Sequence, residues 1–495
     1  MLTENEIKRL ISEDEASEKK RRAKEGQRYY EANHDILQYR IFYYNEDGIL
    51  VEDKARSNSR ICHPFFTELA DQLPAYMYSF EHNPMQAIPT AEGLQEHLDR
   101  YFDADFWAEI YELTTGAYVK GFEYLYAYKN ADDRLAFECA DSLGVVEVRK
   151  QDTDDGCEYV IYHYIDRIEK GKKRIRRIQV HDKDQIWYYK QVDNGRVVLD
   201  KDEEINPKPN YIWGESNGER FCGSLGFIPY WRLDNCRKQF SGLKPIKGLI
   251  DDYDMMECGL SNNVQDFDNP IHLVKGYPGD DLTELQQNIR TKKIIGVGEG
   301  GDIDIKTIAI PYEARKVKAD EDEKNIYRFG MGFNSAQSGD GNITNVVIRS
   351  RYTLLDLKAK KMGMRVKRLL SQILRPVIDE INEQHKTDYQ YSDVEIKLEF
   401  NVPTNEAENA QNALVDAQTE QVRIGTLLNV AAMIGDEETL RLICGALDLD
   451  FDDLKDGFEE RKAEAQETAA AMATLEGMVT DEQQAEVGTG ALSGE

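Results

Sequence analysis

Two spacings of apolar residues alternate along this chain, and the switches between them divide it into blocks. Residues 1–40 predict a charged helix, with Lys19, Lys20, Arg21, Arg22 and Lys24 on a solvated face among glutamates. In 58–80, Phe65, Phe66, Leu69, Leu73, Tyr76 and Met77 recur at three- and four-residue steps, as one buried helix face requires, and Pro64 suits a first turn. Residues 92–118 repeat the pattern through Leu98, Phe102, Phe106, Ile110 and Leu113. From about 119 to 232 the period becomes two. Runs such as FEYLYAY, EYVIYHYI, KRIRRIQVH and QIWYYKQV, separated by turn formers, predict an antiparallel sheet of hairpins. Residues 201–220 read as a loop before the strand GFIPYWRL.

Helical spacing returns at Ser241, where Ile246, Leu249, Ile250, Tyr253, Met256, Leu260, Val264 and Phe267 form a stripe. Asp251, Asp252, Asp254 and Glu257 fall on the other face and read as solvated. A small β unit follows (PIHLVKGY, KKIIGV, DIDIKTIAI), then a charged helix at Tyr312–Tyr327. That helix is polar on most sides, marginal alone, and better explained by packing in an oligomer. A soft Gly/Ser/Asn segment at 332–345 precedes a long helix from Val347 to Gln384, which Gly363 and Pro376 allow to bend. Residues 393–402 predict a strand and 405–470 helices, with turns at Gly425 and Gly435. The final twenty or so residues lack periodicity and read as disordered. The fold class is α+β.

Composition removes several classes of function. The 495 residues suffice for more than one domain, and no stretch approaches the roughly 18 apolar residues of a membrane span. The charged first twenty residues lack the apolar core of a secretion signal, so the expectation is a protein of the cytoplasm or of a particle assembled there. The seven cysteines form no C-x-x-C pair and read as free thiols. A net charge of −30 argues against a broad nucleic-acid-gripping surface, though not against DNA passing by without being held. Gly296, Gly298 and Gly301 spell G-x-G-x-x-G, but the dinucleotide motif needs a helix next, and DIDIKTIAI predicts a strand. His163, His181, Cys139 and Cys157 match no metal-ligand spacing. No catalytic set appears, and neither a cofactor nor a metal is expected.

Three stretches, in their order, resemble the portal (head-to-tail connector) proteins of tailed bacteriophages of the siphophage type. They are NSRICHPFFTELADQLPAYM, GFIPYWRLDNC leading into LKPIKGLIDDYDMMECGLSNNVQDFDNPIHLVKGY, and ITNVVIRSRYTLLDLKAKKMGMRVKRLLSQIL. The resemblance spans about residues 25 to 460 and lies in residue type and order. It implies a mostly helical portal fold with wing, stem, clip and crown, assembled as a ring, usually of twelve copies, around a central tunnel. Carried onto this chain, 1–240 corresponds to N-terminal helices and a β-rich wing, 241–267 to a first stem helix and 268–311 to the clip. Residues 312–330 correspond to a second stem helix, 331–346 to a tunnel loop, 347–392 to a long kinked wing helix, 393–470 to the crown and 471–495 to a disordered tail.

The implied function is non-enzymatic: a channel at one capsid vertex for genome packaging and ejection. Its implied partners are further copies of the chain, the terminase large subunit, a head-completion or adaptor protein, major capsid and scaffolding proteins, and double-stranded DNA passing through. No membrane is implied, and the location is the virion, with the host cytoplasm during assembly. Asn334, Ser335, Gln337, Ser338, Asn342 and Thr344 are expected to face DNA, unless the segment is a mere linker. Arg349, Arg351, Lys358 and Lys361 are expected to contact DNA or a neighbouring subunit, and Lys292, Lys293, Gly298 and Glu299 to form the clip's docking surface. The alternatives are a minor head or adaptor protein without a channel, or a metal-dependent nuclease using Asp251 and Asp252.

Overall fold

The computed structural model describes residues 2–54, 56–80, 82–149, 156–169, 173–216, 219–267, 271–275, 300, 302–306, 312–334, 345–398, 400, 406–434, 436–447, 451 and 457. Two compact units emerge: Met1–Gly341 with Val346–Pro403, and Asn342–Asn345 with Thr404–Glu495.

The chain starts with two helices where one was expected, α1 (Glu4–Glu15) and α2 (Glu18–Tyr30). The break is encoded by caps. Thr3 and Glu6 form a capping box on α1, and the Ser17 side chain accepts from Lys20 N to start α2. Lys20 does not lie on a solvated face: it is fully buried, donates to the carbonyls of Ser142 and Val145 and pairs with Asp14. Two further helices, α3 (Phe65–Met77) and α4 (Leu94–Tyr101), precede α5 (Ala104–Lys120). The single helix expected over 92–118 is divided because Asp103 caps α5 through Phe106 N.

The period-two block forms antiparallel sheets. Val197–Leu199, Gln185–Val192, Lys173–His181, Cys157–Glu169 and Val145–Arg149 lie side by side, and Lys208–Pro209 joins Gln185–Val192. Ile161, Ile178, Val180 and Trp187 of this sheet cover Ile7 and Ile11 of α1. A second sheet runs Tyr230–Asp234, Phe122–Lys129, Leu135–Ala140. The loop expected over 201–220 contains a hairpin instead, Tyr211–Ser216 paired with Glu219–Gly223.

α6 (Lys247–Phe267) follows a run of turns from Gly242. Ile271–Lys275 pairs antiparallel with Asp302–Lys306, so the segment after the glycine-rich motif is a strand. α7 (Tyr312–Gly330) packs antiparallel on α6, with Lys318 bonded to Asp252 and Arg315 donating to the Met256 carbonyl at 3.4 Å. α8 (Asn345–His385) has 41 residues and a length of about 60 Å. Its Leu355, Met362, Val366, Leu370, Ile373, Val377 and Ile381 meet Leu69, Leu73, Ile110 and Leu113 of α3 and α5 in the main core. Gly363 is where the Phe400 ring packs against the helix backbone. The strand expected over 393–402 is short, Val394–Ile396 paired with Met85–Ala87.

The second unit contains α9 (Glu406–Ile434) and α10 (Asp436–Leu447); Gly425, expected to mark a turn, lies inside α9, and Gly435 lies outside the described residues. Among the described residues no helix is long and apolar enough to cross a membrane.

Candidate functional site

The segment joining α7 to α8 is the expected DNA-facing loop, and the structure shows how its first end is held. The α7 helix closes with Met331 in the left-handed region (φ 53°), and Gly332 N–H bonds back to the Tyr327 carbonyl at 3.0 Å. The glycines on either side serve packing. A Cβ at Gly330 or Gly332 would run into the Leu69 side chain of α3.

Beyond Gly332 the chain is clamped. The Gln72 amide of α3 accepts from Phe333 N at 2.9 Å and donates to Phe333 O at 2.7 Å, so one side chain satisfies both backbone groups as a neighbouring strand would. The Phe333 ring stacks on Tyr352 of α8 at 4.5 Å, and Tyr352 stacks on Tyr76 at 6.1 Å. Asn334 Nδ2 donates to Glu323 Oε1 at 2.7 Å, so this residue sits at the loop's anchored base. Ser335, Gln337, Ser338, Asn342 and Thr344 lie outside the described residues, as do Lys292, Lys293, Gly298 and Glu299 of the expected clip surface.

Of the four basic residues expected to contact DNA or a neighbour, Arg349 and Lys361 are exposed and Arg351 is half-buried. Lys358 is a correction: its residue is 8% exposed and points into the protein. Its ammonium donates to Gly330 O at 3.1 Å and Leu69 O at 3.2 Å, and sits 4.5 Å over the Tyr118 ring. Burial pushes its pKa down to about 7. Lys358 therefore joins three elements by gripping the end of α7 and the middle of α3 from α8. Beside it is a cavity of about 420 Å³ whose lining includes Lys244 and Lys361 and no carboxylate. Further along α8, Lys361, Arg365 and Arg368 line a groove with Arg232, whose own charge is met by Glu147 and Asp234. Lys361, Arg365 and Arg368 have no carboxylate partner among the described residues.

The acidic face of α6 is the second correction. An extended strap, Ser57 to His63, lies along that helix, and every second strap residue meets a successive helical turn. Ser57 N donates to Asp266 at 3.1 Å, Ser59 N to Asn262 at 2.6 Å, Ile61 N to Cys258 Sγ at 3.2 Å, and His63 N to Asp254 at 2.9 Å. The match is geometric: two extended residues advance about 6.6 Å and four helical residues about 6 Å. Asp254 is fully buried and also accepts from His34 Nδ1 at 2.7 Å and His63 Nδ1 at 2.8 Å. Burial pushes its carboxyl up, but these hydrogen bonds hold it below the ordinary value. Asp251 bonds Tyr29 and Lys247, and Asp252 bonds Lys318. The carboxylates that a two-metal nuclease would need are thus committed to histidine, tyrosine and lysine partners. Among the described residues no cluster of three or more ligand-type side chains has metal-binding geometry.

Residues 10–470 match the family model described as "Phage portal protein, SPP1 Gp6-like". The portal protein of Bacillus phage SPP1 is 23% identical over 343 residues, which cover 69% of this chain and 66% of that protein, just under two thirds of its length. The portal protein of Clostridium phage phiCD119 is 22% identical over 377 residues, covering 70% of this chain and 78% of that one. A solved structure described as the neck of a native GTA particle computed with C12 symmetry is similar at 15% identity and a TM-score of 0.37, covering 77% of this chain and 89% of that one.

Proposed function

This chain belongs to the SPP1 Gp6-like family of phage portal proteins, and from that premise we propose that its copies close into a ring whose channel passes double-stranded DNA during packaging and ejection. The ring occupies the portal vertex of the virion, docks the terminase large subunit and later a head-completion protein, and performs no chemistry of its own. The observation that carries this reading is the order of elements from Lys247 to His385. An antiparallel helix pair bearing a strand pair is followed by a segment clamped at its base and by a 41-residue helix.

Anchoring by Gln72, Phe333 and Lys358 gives the intervening residues a fixed origin, as a loop working at a channel wall needs. A formal charge of −30 per copy disfavours tight capture of DNA, so a motor supplying the energy elsewhere can slide the duplex through. Within this reading Arg349, Arg351 and Lys361 are contacts to DNA or to the adjacent copy, and Lys358 is a structural tie. Mass photometry and negative-stain electron microscopy of the purified chain test it. Closed rings with a central hole are expected; a species that stays monomeric across concentration and salt overturns it.

A further inference from the structure

The period-two runs FEYLYAY, EYVIYHYI and GFIPYWRL carry Tyr126, Tyr162, Tyr164 and Tyr230, and strand register brings these four together. In the sheet containing Cys157–Glu169 and Lys173–His181, Ile161, Ile178 and Val180 cover α1. Successive strand residues point to opposite faces, so Tyr162, Tyr164 and Gln179 face away from α1, with Tyr162 directly opposite Gln179. In the second sheet Leu125, Phe137 and Leu233 enter the main core. Tyr126, Glu138 and Tyr230 therefore lie on the other face. They form one row across three strands, with Tyr126 between Tyr230 and Glu138. Val160 of the first sheet shares a small core with Phe122, Tyr124 and Ala140 of the second, so the two tyrosine faces meet.

A cleft of about 290 Å³ opens between them, and all six of these tyrosine, glutamate and glutamine side chains line it. The Tyr126 and Tyr230 rings lie 4.8 Å apart at 35°, and those of Tyr162 and Tyr164 lie 5.6 Å apart at 37°. Its charge is one-sided. Among the described residues the lining holds the Glu138 carboxylate and no lysine or arginine. Glu138 is exposed and pairs with no basic side chain among the described residues. Arg177, opposite Tyr164, is taken up by Asp166, Asp200 and Glu203. His181, in edge contact with Tyr126 and Tyr230, is fully buried; burial pushes its pKa down to about 3, so it adds no charge. Burial, chiefly, also raises the Tyr126, Tyr162 and Tyr230 hydroxyls, which stay neutral phenols.

Electron-rich ring faces beside an unpaired carboxylate attract a cation. Hydrogen-bonding capacity inside the cleft is partly spent already. His181 Nε2 lies 3.1 Å from Gln179 Oε1 and 3.3 Å from the Tyr230 hydroxyl. A primary ammonium would give up bonds to water that these walls replace poorly, whereas a quaternary head has none to lose. We propose that this cleft is a binding site for a small quaternary ammonium ion, its methyl groups against the tyrosine rings and its charge toward Glu138. The site lies within the first compact unit and needs no second copy, so it is independent of the ring reading.

The test titrates the full chain with choline chloride and follows broadening of the choline N-methyl proton resonance, with sodium chloride at matched ionic strength as the control. Saturable binding is expected, and the neutral alcohol in which carbon replaces the choline nitrogen should bind at least about tenfold more weakly. Tyr162→Leu and Glu138→Gln should each weaken choline about three- to tenfold, while Tyr162→Phe, which keeps the ring, should change it by less than about twofold. Tyr164→Leu, at an exposed position, replaces Tyr162→Leu if that variant does not fold. Equal binding of the neutral alcohol, unchanged affinity in the leucine and glutamine variants, or no saturable binding at all overturns the site. Tighter binding of n-butylammonium than of choline also overturns it, because hydrogen bonding to Glu138 would then select the ligand.

Discussion

Replacing Lys358 by methionine should reverse its effect on stability between acid and alkaline pH. Burial holds the ammonium at a pKa of about 7, against the ordinary 10.5, and the adjoining cavity offers no carboxylate to offset it. At 1.36 kcal/mol per unit, keeping this charge inside costs about 4–5 kcal/mol when the site is fully protonated. The sign follows from linkage. The folded value is depressed, so between about pH 7 and 10.5 the unfolded chain binds more protons and stability rises with pH. The full cost applies below the folded value and has gone above the unfolded one. The natural chain should gain about 2 kcal/mol from this group between pH 7 and 9. The methionine variant escapes that cost but leaves the Gly330 and Leu69 carbonyls without the Nζ donor, which costs about 1–3 kcal/mol for each carbonyl left unsatisfied. The variant should therefore be equal to or more stable than the natural chain near pH 6.5 and clearly less stable near pH 9.5. Urea unfolding at five pH values measures this, and taking the difference between the two proteins cancels the titration of every other group. A difference constant to within about 0.5 kcal/mol across the range would show that Lys358 is not held as a buried, weakened base.

Gln72→Leu keeps the bulk in α3 but unpairs both backbone groups of Phe333; a loss of about 2 kcal/mol is expected, together with faster proteolysis between Phe333 and Asn345. Gly332→Ala forces a methyl group against Leu69 and should cost about 1–3 kcal/mol in denaturant unfolding, with Leu69→Ala restoring part of it. Asp254→Asn removes a buried carboxylate that accepts from His34 and His63, and should cost about 3 kcal/mol at neutral pH. Because the folded carboxyl is held low, the Asp254 contribution is present above the ordinary carboxylate value of about 3.9 and is lost as pH falls through the lower folded value, so the asparagine variant should lose less stability in acid. Deleting residues 335–342 should leave rings intact by electron microscopy while DNA packaging or retention falls; loss of the ring would instead assign the segment a structural role.

The helices and sheets were legible because burial imposes one period on each, and α3, α5 and α8 carry it clearly. What spacing on one element cannot show is a partner brought from far along the chain. Asp254 looks solvated within Asp251–Glu257, yet its donors His34 and His63 lie 220 and 191 residues away. A signal for the strap did exist, in two elements at once. Ser57, Ser59, Ile61 and His63 step by two, while Asp254, Cys258, Asn262 and Asp266 step by four, and these steps span nearly equal lengths. Lys358 was hidden differently. It sits in a run of basic residues, but it lies three residues after Leu355 and four before Met362, on α8's apolar stripe. A charged residue at a core position of a helix face needs carbonyl partners or a counter-charge. The helix end and the α3 backbone supply the carbonyls. The same reasoning separates Lys358 from Lys361, which falls off the stripe and is exposed. Helical phase, and not membership of a basic run, decides which of these lysines is free to meet a phosphate or a neighbouring carboxylate.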